Sequence, residues 1–99
     1  MTLNQKLRAL VADRVARLRA LEVSAVQSLP HVVSEDVAPG KTKIHQYHDA
    51  LNTGEHMVVV QAMEDRWFGL FTAIEVDGFV VTTDGLKRSL RDEETRDFI

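Results

Sequence analysis

Apolar positions repeat with the period of a helix through the first third of the chain and with the period of a strand through its second half. Between Thr2 and Leu29, the residues Leu3, Leu7, Leu10, Val11, Val15, Leu18, Leu21, Ala25 and Leu29 fall on one stripe at about 100° per residue. Thr2 followed by Gln5 fits a capping box, and no glycine or proline interrupts before Pro30. The pattern predicts one helix over residues 1–29. Arg14 and Glu22 interrupt the stripe. Either both extend their charged tips past the edge of the core, or one of them meets a buried partner. A helix of about 26 residues spans about 39 Å, whereas a compact domain of this length is about 34 Å across. It must overhang the sheet, break near its end, or lie against another chain.

Residues 30–40 hold both prolines and the pair Pro39-Gly40, which predicts a surface loop, with His31-Val32-Val33 as a candidate short edge strand. From Lys41 the period changes to two. Thr42–Ala50 reads as a strand closed by the turn residues Asn52-Thr53-Gly54. His56–Met63 reads as a second strand, and Met57-Val58-Val59-Val60 is apolar on both faces, which suits a central strand covered on both sides. Trp67–Val76 and Phe79–Thr83 read as a hairpin closed by a type I′ turn at Asp77-Gly78. That turn would place Phe68, Leu70, Ile74, Val76, Phe79 and Val81 on the core face. Trp67, Gly69, Phe71, Ala73, Glu75, Val80 and Thr82 would lie on the other. Asp84-Gly85 marks a further turn, and Ser89 with Asp92 opens a short last helix anchored by Leu90 and Phe98. The expected fold is α+β and a single domain over 1–99. It has a long N-terminal helix (1–29), a loop (30–40), a four-stranded antiparallel β-meander (41–88) and a short C-terminal helix (89–99).

Composition narrows the class further. The chain has 99 residues, 44% of them apolar and 27% charged, values that fit a folded globular protein. No apolar run approaches membrane-spanning length and no signal-peptide pattern is present, so no membrane association is expected. The absence of cysteine excludes disulfides, thiolate catalysis and cysteine zinc sites, and is compatible with a cytoplasmic location. The charge is unevenly spread. Residues 1–29 carry Lys6, Arg8, Arg14, Arg17 and Arg19 against Asp13 and Glu22, a net +3, whereas the rest of the chain carries −6. A basic helix can meet nucleic acid. However, Arg8 and Arg19 lie on a different side from Lys6 and Arg17, so complementarity within the fold or with an acidic subunit is the simpler reading.

Few residues are spaced for chemistry. His45 and His48 are three apart on a strand and point to opposite faces, which defeats a shared metal site unless the segment is helical or bulged. His48 and His56 share a face only in some hairpin registers, and the histidines are expected to be exposed to solvent. Asp92, Glu93, Glu94 and Asp97, mixed with Arg91 and Arg96, read as solvated acids at a helix start rather than an acid/base pair. No glycine-rich phosphate loop is present. The expectation is a non-enzymatic protein with no cofactor and no metal.

Two surface features remain. Ala9, Ala12, Ala16, Ala20 and Val23 gather on the side of the helix opposite its core stripe, where charges would be usual. Alanine favours helix by propensity alone, but small side chains also admit the close approach of a second helix. Trp67 and Phe71 flank Gly69 on the strand face assigned away from the core, a pattern that suits an interface centre or is covered by the last helix. The expected function is a small cytoplasmic module that acts by protein–protein contact, with itself as a homodimer or with another protein. The alternatives are a nucleic-acid-associated regulator using the basic helix, and a small enzyme or ligand-binding domain built on His48, His56 and nearby carboxylates.

Overall fold

The N-terminal apolar stripe forms two helices rather than one. In the computed structural model, which describes residues 3–38, 41–66 and 71–98, helix α1 runs Leu3–Arg19 and helix α2 runs Val23–Gln27. Glu22 between them is extended (φ −63°, ψ 153°). The break answers the length problem: the chain turns instead of overhanging, and Val26 reaches full burial beside Leu7, Val11, Val15 and Leu18. Val23 and Leu29 pack against the same cluster.

The sheet is an antiparallel meander of five strands in the order β1-β2-β3-β4-β5. These are β1 (Val32–Ala38), β2 (Thr42–Ala50), β3 (His56–Arg66), β4 (Phe71–Val81) and β5 (Lys87–Ser89). Strand β2 matches its expected span. Most of the expected 30–40 loop is β1, because its backbone pairs with β2 from Val32↔Tyr47 to Ala38↔Thr42, with a bulge between Asp36 and Ala38. Strand β5 adds the opposite edge. A short helix α3 (Asp92–Thr95) and a 3₁₀ turn (Arg96–Phe98) end the described chain.

The largest correction concerns Asp77-Gly78. There is no turn there: β4 runs straight through, with Asp77 paired to Val60 and Gly78 to Val59. A hairpin at that point would leave residues 56–60 of β3 without a partner on this side, whereas the unbroken strand pairs with it from His56↔Val81 to Arg66↔Phe71. Backbone hydrogen bonding along eleven residues of each strand outweighs a two-residue turn preference. Strict alternation then puts Ile74 and Val76 on the face opposite Phe79 and Val81, not on the same one.

Antiparallel partners share a face, so the register divides the sheet cleanly. One face presents Ile44, Val58, Val60, Ala62, Phe79 and Val81 to α1, forming the core. The other presents Tyr47, Met57, Val59, Ile74, Val76 and Val80. Here the C-terminal segment covers the sheet. The rings of Tyr47 and Phe98 lie 5.2 Å apart, and the Gln61 side chain donates to the Phe98 carbonyl.

Gly78 makes this cover possible. A Cβ there would stand 2.0 Å from the Val58 carbonyl oxygen and 3.0 Å from Leu90 Cδ1. Gly85, at φ +84° with nothing within 4 Å, holds the turn between β4 and β5 instead. Gly78→Asn, a change that a type I′ turn accepts, is expected to lose about 2–3 kcal/mol by overpacking. Gly85→Asn should lose less than about 1 kcal/mol, because asparagine tolerates left-handed backbone. Urea denaturation of the two variants compares them, and a small loss at Gly78 would mean that the segment turns after all.

Candidate functional site

The outward side of α1 is the surface that the alanine pattern singles out. Ala9, Ala12, Ala16 and Ala20 are all exposed. Val23 does not join them: beyond the break at residues 20–22 its side chain turns inward and packs on the core. Trp67 lies outside the described residues, and Phe71 is described in its backbone alone, as the first residue of β4.

The cations of α1 each have a partner within the chain. Lys6 Nζ lies 3.7 Å from Glu64, Arg8 3.4 Å from Glu75 and Arg17 2.8 Å from Asp13. Arg14, one of the two interruptions of the stripe, is largely buried and donates to Glu35 at 2.6 Å, which holds the Glu35 carboxyl below its usual range. Glu22, the other, is exposed at the start of α2. Arg19 donates to the Lys87 carbonyl at 2.9 Å, and Lys87 returns its ammonium to the carbonyls of Arg19 and, at 2.6 Å for the former, Leu21. A cation at the C-terminal carbonyls of a helix is favoured by the helix dipole. This contact stabilises the break between α1 and α2. No pattern near Lys87 announces it, because the pairing joins residues almost seventy apart.

Of the histidines expected to be exposed, His31 is, whereas His45 and His56 are half-buried and His48 is buried. His45 and His48 do face opposite sides of the sheet: His45 pairs opposite Gln61 with its Nδ1 2.8 Å from the Ser34 hydroxyl oxygen, whereas His48 pairs opposite Val58 on the helix side. His48 is buried, because the link from α2 into β1 lies over it. Its ring stacks on His56 with centroids 5.1 Å apart. The register that sequence left open therefore brings His48 and His56 together. Among the described residues no group of three or more His, Cys, Asp or Glu side chains is placed to hold a metal ion.

The C-terminal acids divide. Asp92 and Glu93 are exposed, while Glu94 is half-buried and forms a two-pronged pair with Arg88 at 2.8 and 3.0 Å. It also accepts the Arg91 backbone N–H at 2.8 Å. Arg88 first, then the Arg91 N–H, pull the Glu94 carboxyl down from 4.5 to about 2, against the opposing effect of burial. This pair ties the C-terminal segment to β5. A cleft of about 200 Å³ lined by Lys41, Lys43, Met63 and Asp65 lies on the same side of the sheet. It is smaller than the roughly 300–1,000 Å³ of typical small-molecule sites.

Comparison with protein-family models, with curated proteins and with solved structures finds no match to this chain. No helix among the described residues is long and apolar enough to cross a membrane.

The Glu94 pair carries a pH signature. A carboxyl lowered in the folded state stabilises it fully above the unfolded value of 4.5, and that contribution is lost as pH falls towards about 2. Glu94→Gln is expected to cost about 1 kcal/mol near neutral pH. At pH about 2 most of that cost should be gone. Urea denaturation at the two pH values, with carboxyl NMR titration of the wild type, checks both the size and the window.

Proposed function

We propose that the chain is a non-enzymatic, cytoplasmic protein-binding module that self-associates through the outward side of α1. The observation that supports this is a conjunction. Ala9, Ala12, Ala16 and Ala20 form an exposed seam of small side chains, and the flanking cations are held by carboxylates and carbonyls of the same chain. Two such helices can approach closely without meeting unpaired like charges. The interaxial distance in helix packing, about 8–10 Å, is set by the side chains at the contact, and alanine favours its lower end. Two-fold symmetry would place the same seam on both sides of the contact. Trp67 and Phe71 belong to this proposal as its extension towards the roughly 800 Å² per partner of a standard interface.

Nucleic acid suits this helix less well. Phosphate binding draws on free Lys and Arg, and here Arg14 and Arg19 are turned to the sheet while Lys6, Arg8 and Arg17 are paired with acids.

Ala16→Glu with Ala20→Glu is expected to convert a dimer to a monomer by repulsion and lost close contact. The helix itself should persist, since propensity falls by only tenths of a kcal/mol per site. Light-scattering mass over a concentration series measures this, with circular dichroism as the control for folding. A wild-type mass that stays near 11.2 kDa at high micromolar concentration overturns the proposal.

A further inference from the structure

Strand β5 pairs with one end of β4 only, from Phe79↔Ser89 to Val81↔Lys87. Between Phe71 and Gly78, β4 is bonded to β3 alone among the described residues. Alternate backbone N–H and C=O groups along that stretch therefore point outward with no strand to meet them. The edge is also unprotected. Thr72-Ala73-Ile74-Glu75-Val76-Asp77 contains no proline or lysine, and its pairing with β3 runs without a bulge. Strand β1, at the other side of the sheet, shifts register between Asp36 and Ala38. On β4 the central charge, Glu75, is matched by Arg8 at 3.4 Å, and Ile74 and Val76 are half-buried on the face away from α1. A straight edge of this kind is a template for another strand.

The sequence along the edge fits its own copy. A two-fold axis normal to the sheet pairs β4 with β4 antiparallel and keeps both α1 helices on one side. Opposed residues share a face, so the axis must pass through a residue rather than between two. Centred on Ile74, the ladder runs from Phe71 to Asp77 and sets Thr72 opposite Val76 and Ala73 opposite Glu75. Each acid then faces an uncharged residue. Centring on Glu75 opposes two glutamates, centring on Val76 sets Glu75 against Asp77, and like charges directly opposite are destabilising. Centring on Ala73 shortens the ladder among the described residues. We infer that two copies of the chain join at the β4 edge, antiparallel about Ile74, and merge their sheets into one.

This inference rests on the self-association proposed for α1 and adds its second contact. Arg8 reaches Glu75 on β4, and Arg19 reaches Lys87 and Ser89 on β5, so this flank of α1 looks towards the open edge. Lys6 and Arg14 reach β3 and β1 from the other flank. Ala12 and Ala16 continue the row of every fourth residue that starts at Arg8, and so lean to the β4 side. One axis beside β4 turns these rows towards each other as it pairs the strands.

The chain has no cysteine, so introduced cysteines report the register directly. Ile74→Cys faces its own copy and should form an intermolecular disulfide on mild oxidation. Val76→Cys faces Thr72 instead and should link at least about tenfold more slowly, being beyond the Cα–Cα reach of a disulfide. Adding Thr72→Cys to it should restore the fast rate. Non-reducing electrophoresis over time reads the rates, with light-scattering mass on the same samples. A dimer in which Ile74→Cys links no faster than Val76→Cys overturns this inference alone, leaving the edge to a strand of another protein. A wild-type mass that stays near 11.2 kDa overturns it together with the α1 contact. If the cysteine variants fail to fold, amide exchange of the wild type decides. The β4 amides that point away from β3 should slow by about tenfold or more from dilute to concentrated samples. Unchanged rates in a dimer overturn the inference.

Discussion

Everything in this fold is arranged around a strand that cannot face water on either side. Val58, Val59 and Val60 of β3 are consecutive, so their side chains alternate between faces, and all are completely buried. Each full burial of a valine stabilises the fold by about 1.5 kcal/mol or more. That gain requires two separate layers. Helix α1 supplies one, laying Leu7, Val11 and Val15 over Val58 and Val60. The other is supplied by residues after β5, which meet the sheet at Gly78 through Leu90 and at Tyr47 and Gln61 through Phe98, and are fastened by Arg88 to Glu94. The C-terminal segment is therefore a cover for this face of the sheet, made by the residues that flank α3, rather than an appendage.

Where a residue's neighbours lie close in sequence, the pattern could be read directly. Strand β2 alternates buried and less buried positions along its whole length, and its span follows from that alternation. The turns at Gly54 and Gly85 follow from left-handed backbone that glycine alone adopts freely. The hairpin at Asp77-Gly78 misleads because the local signal is identical whether glycine supplies a turn or merely a missing Cβ. The second role depends on Val58 and Leu90, which no local window contains. The edge strand at 32–38 was legible only at its start, in His31-Val32-Val33: Ser34, Glu35 and Asp36 make the rest polar, which helps an edge strand to resist pairing with other chains. Of the surface assigned from sequence, the four alanines are where the helical period puts them, while Val23 escapes because the helix changes direction before reaching it.

The charge asymmetry between the two parts of the chain finds its explanation inside the molecule. Glu35 on β1, Glu64 on β3 and Glu75 on β4 sit on the helix side of the sheet and meet Arg14, Lys6 and Arg8. The opposite signs of helix and sheet thus fix how one layer lies on the other. Exposed pairs of this type add little stability individually, but three on three different strands oppose rotation of α1 about its own axis. Hydrophobic contact alone specifies that rotation less sharply, because burial has no direction. The same pairs determine which side of α1 is left outward.

The meander has a consequence for the order of events during folding. Each strand pairs with its neighbour in sequence, so the sheet can grow by short loop closures. Helix α1 is the exception, since its contacts lie on β3 and β4, some fifty to seventy residues downstream. On a ribosome the helix emerges first and its apolar stripe has nowhere to go until β4 has been synthesised. At about 5–20 residues per second that interval lasts several seconds, long compared with the microseconds in which a hairpin closes. A nascent chain of this protein therefore displays Leu7, Val11, Val15 and Leu18 to the cell before it can bury them, and its chaperone demand is greatest at that stage.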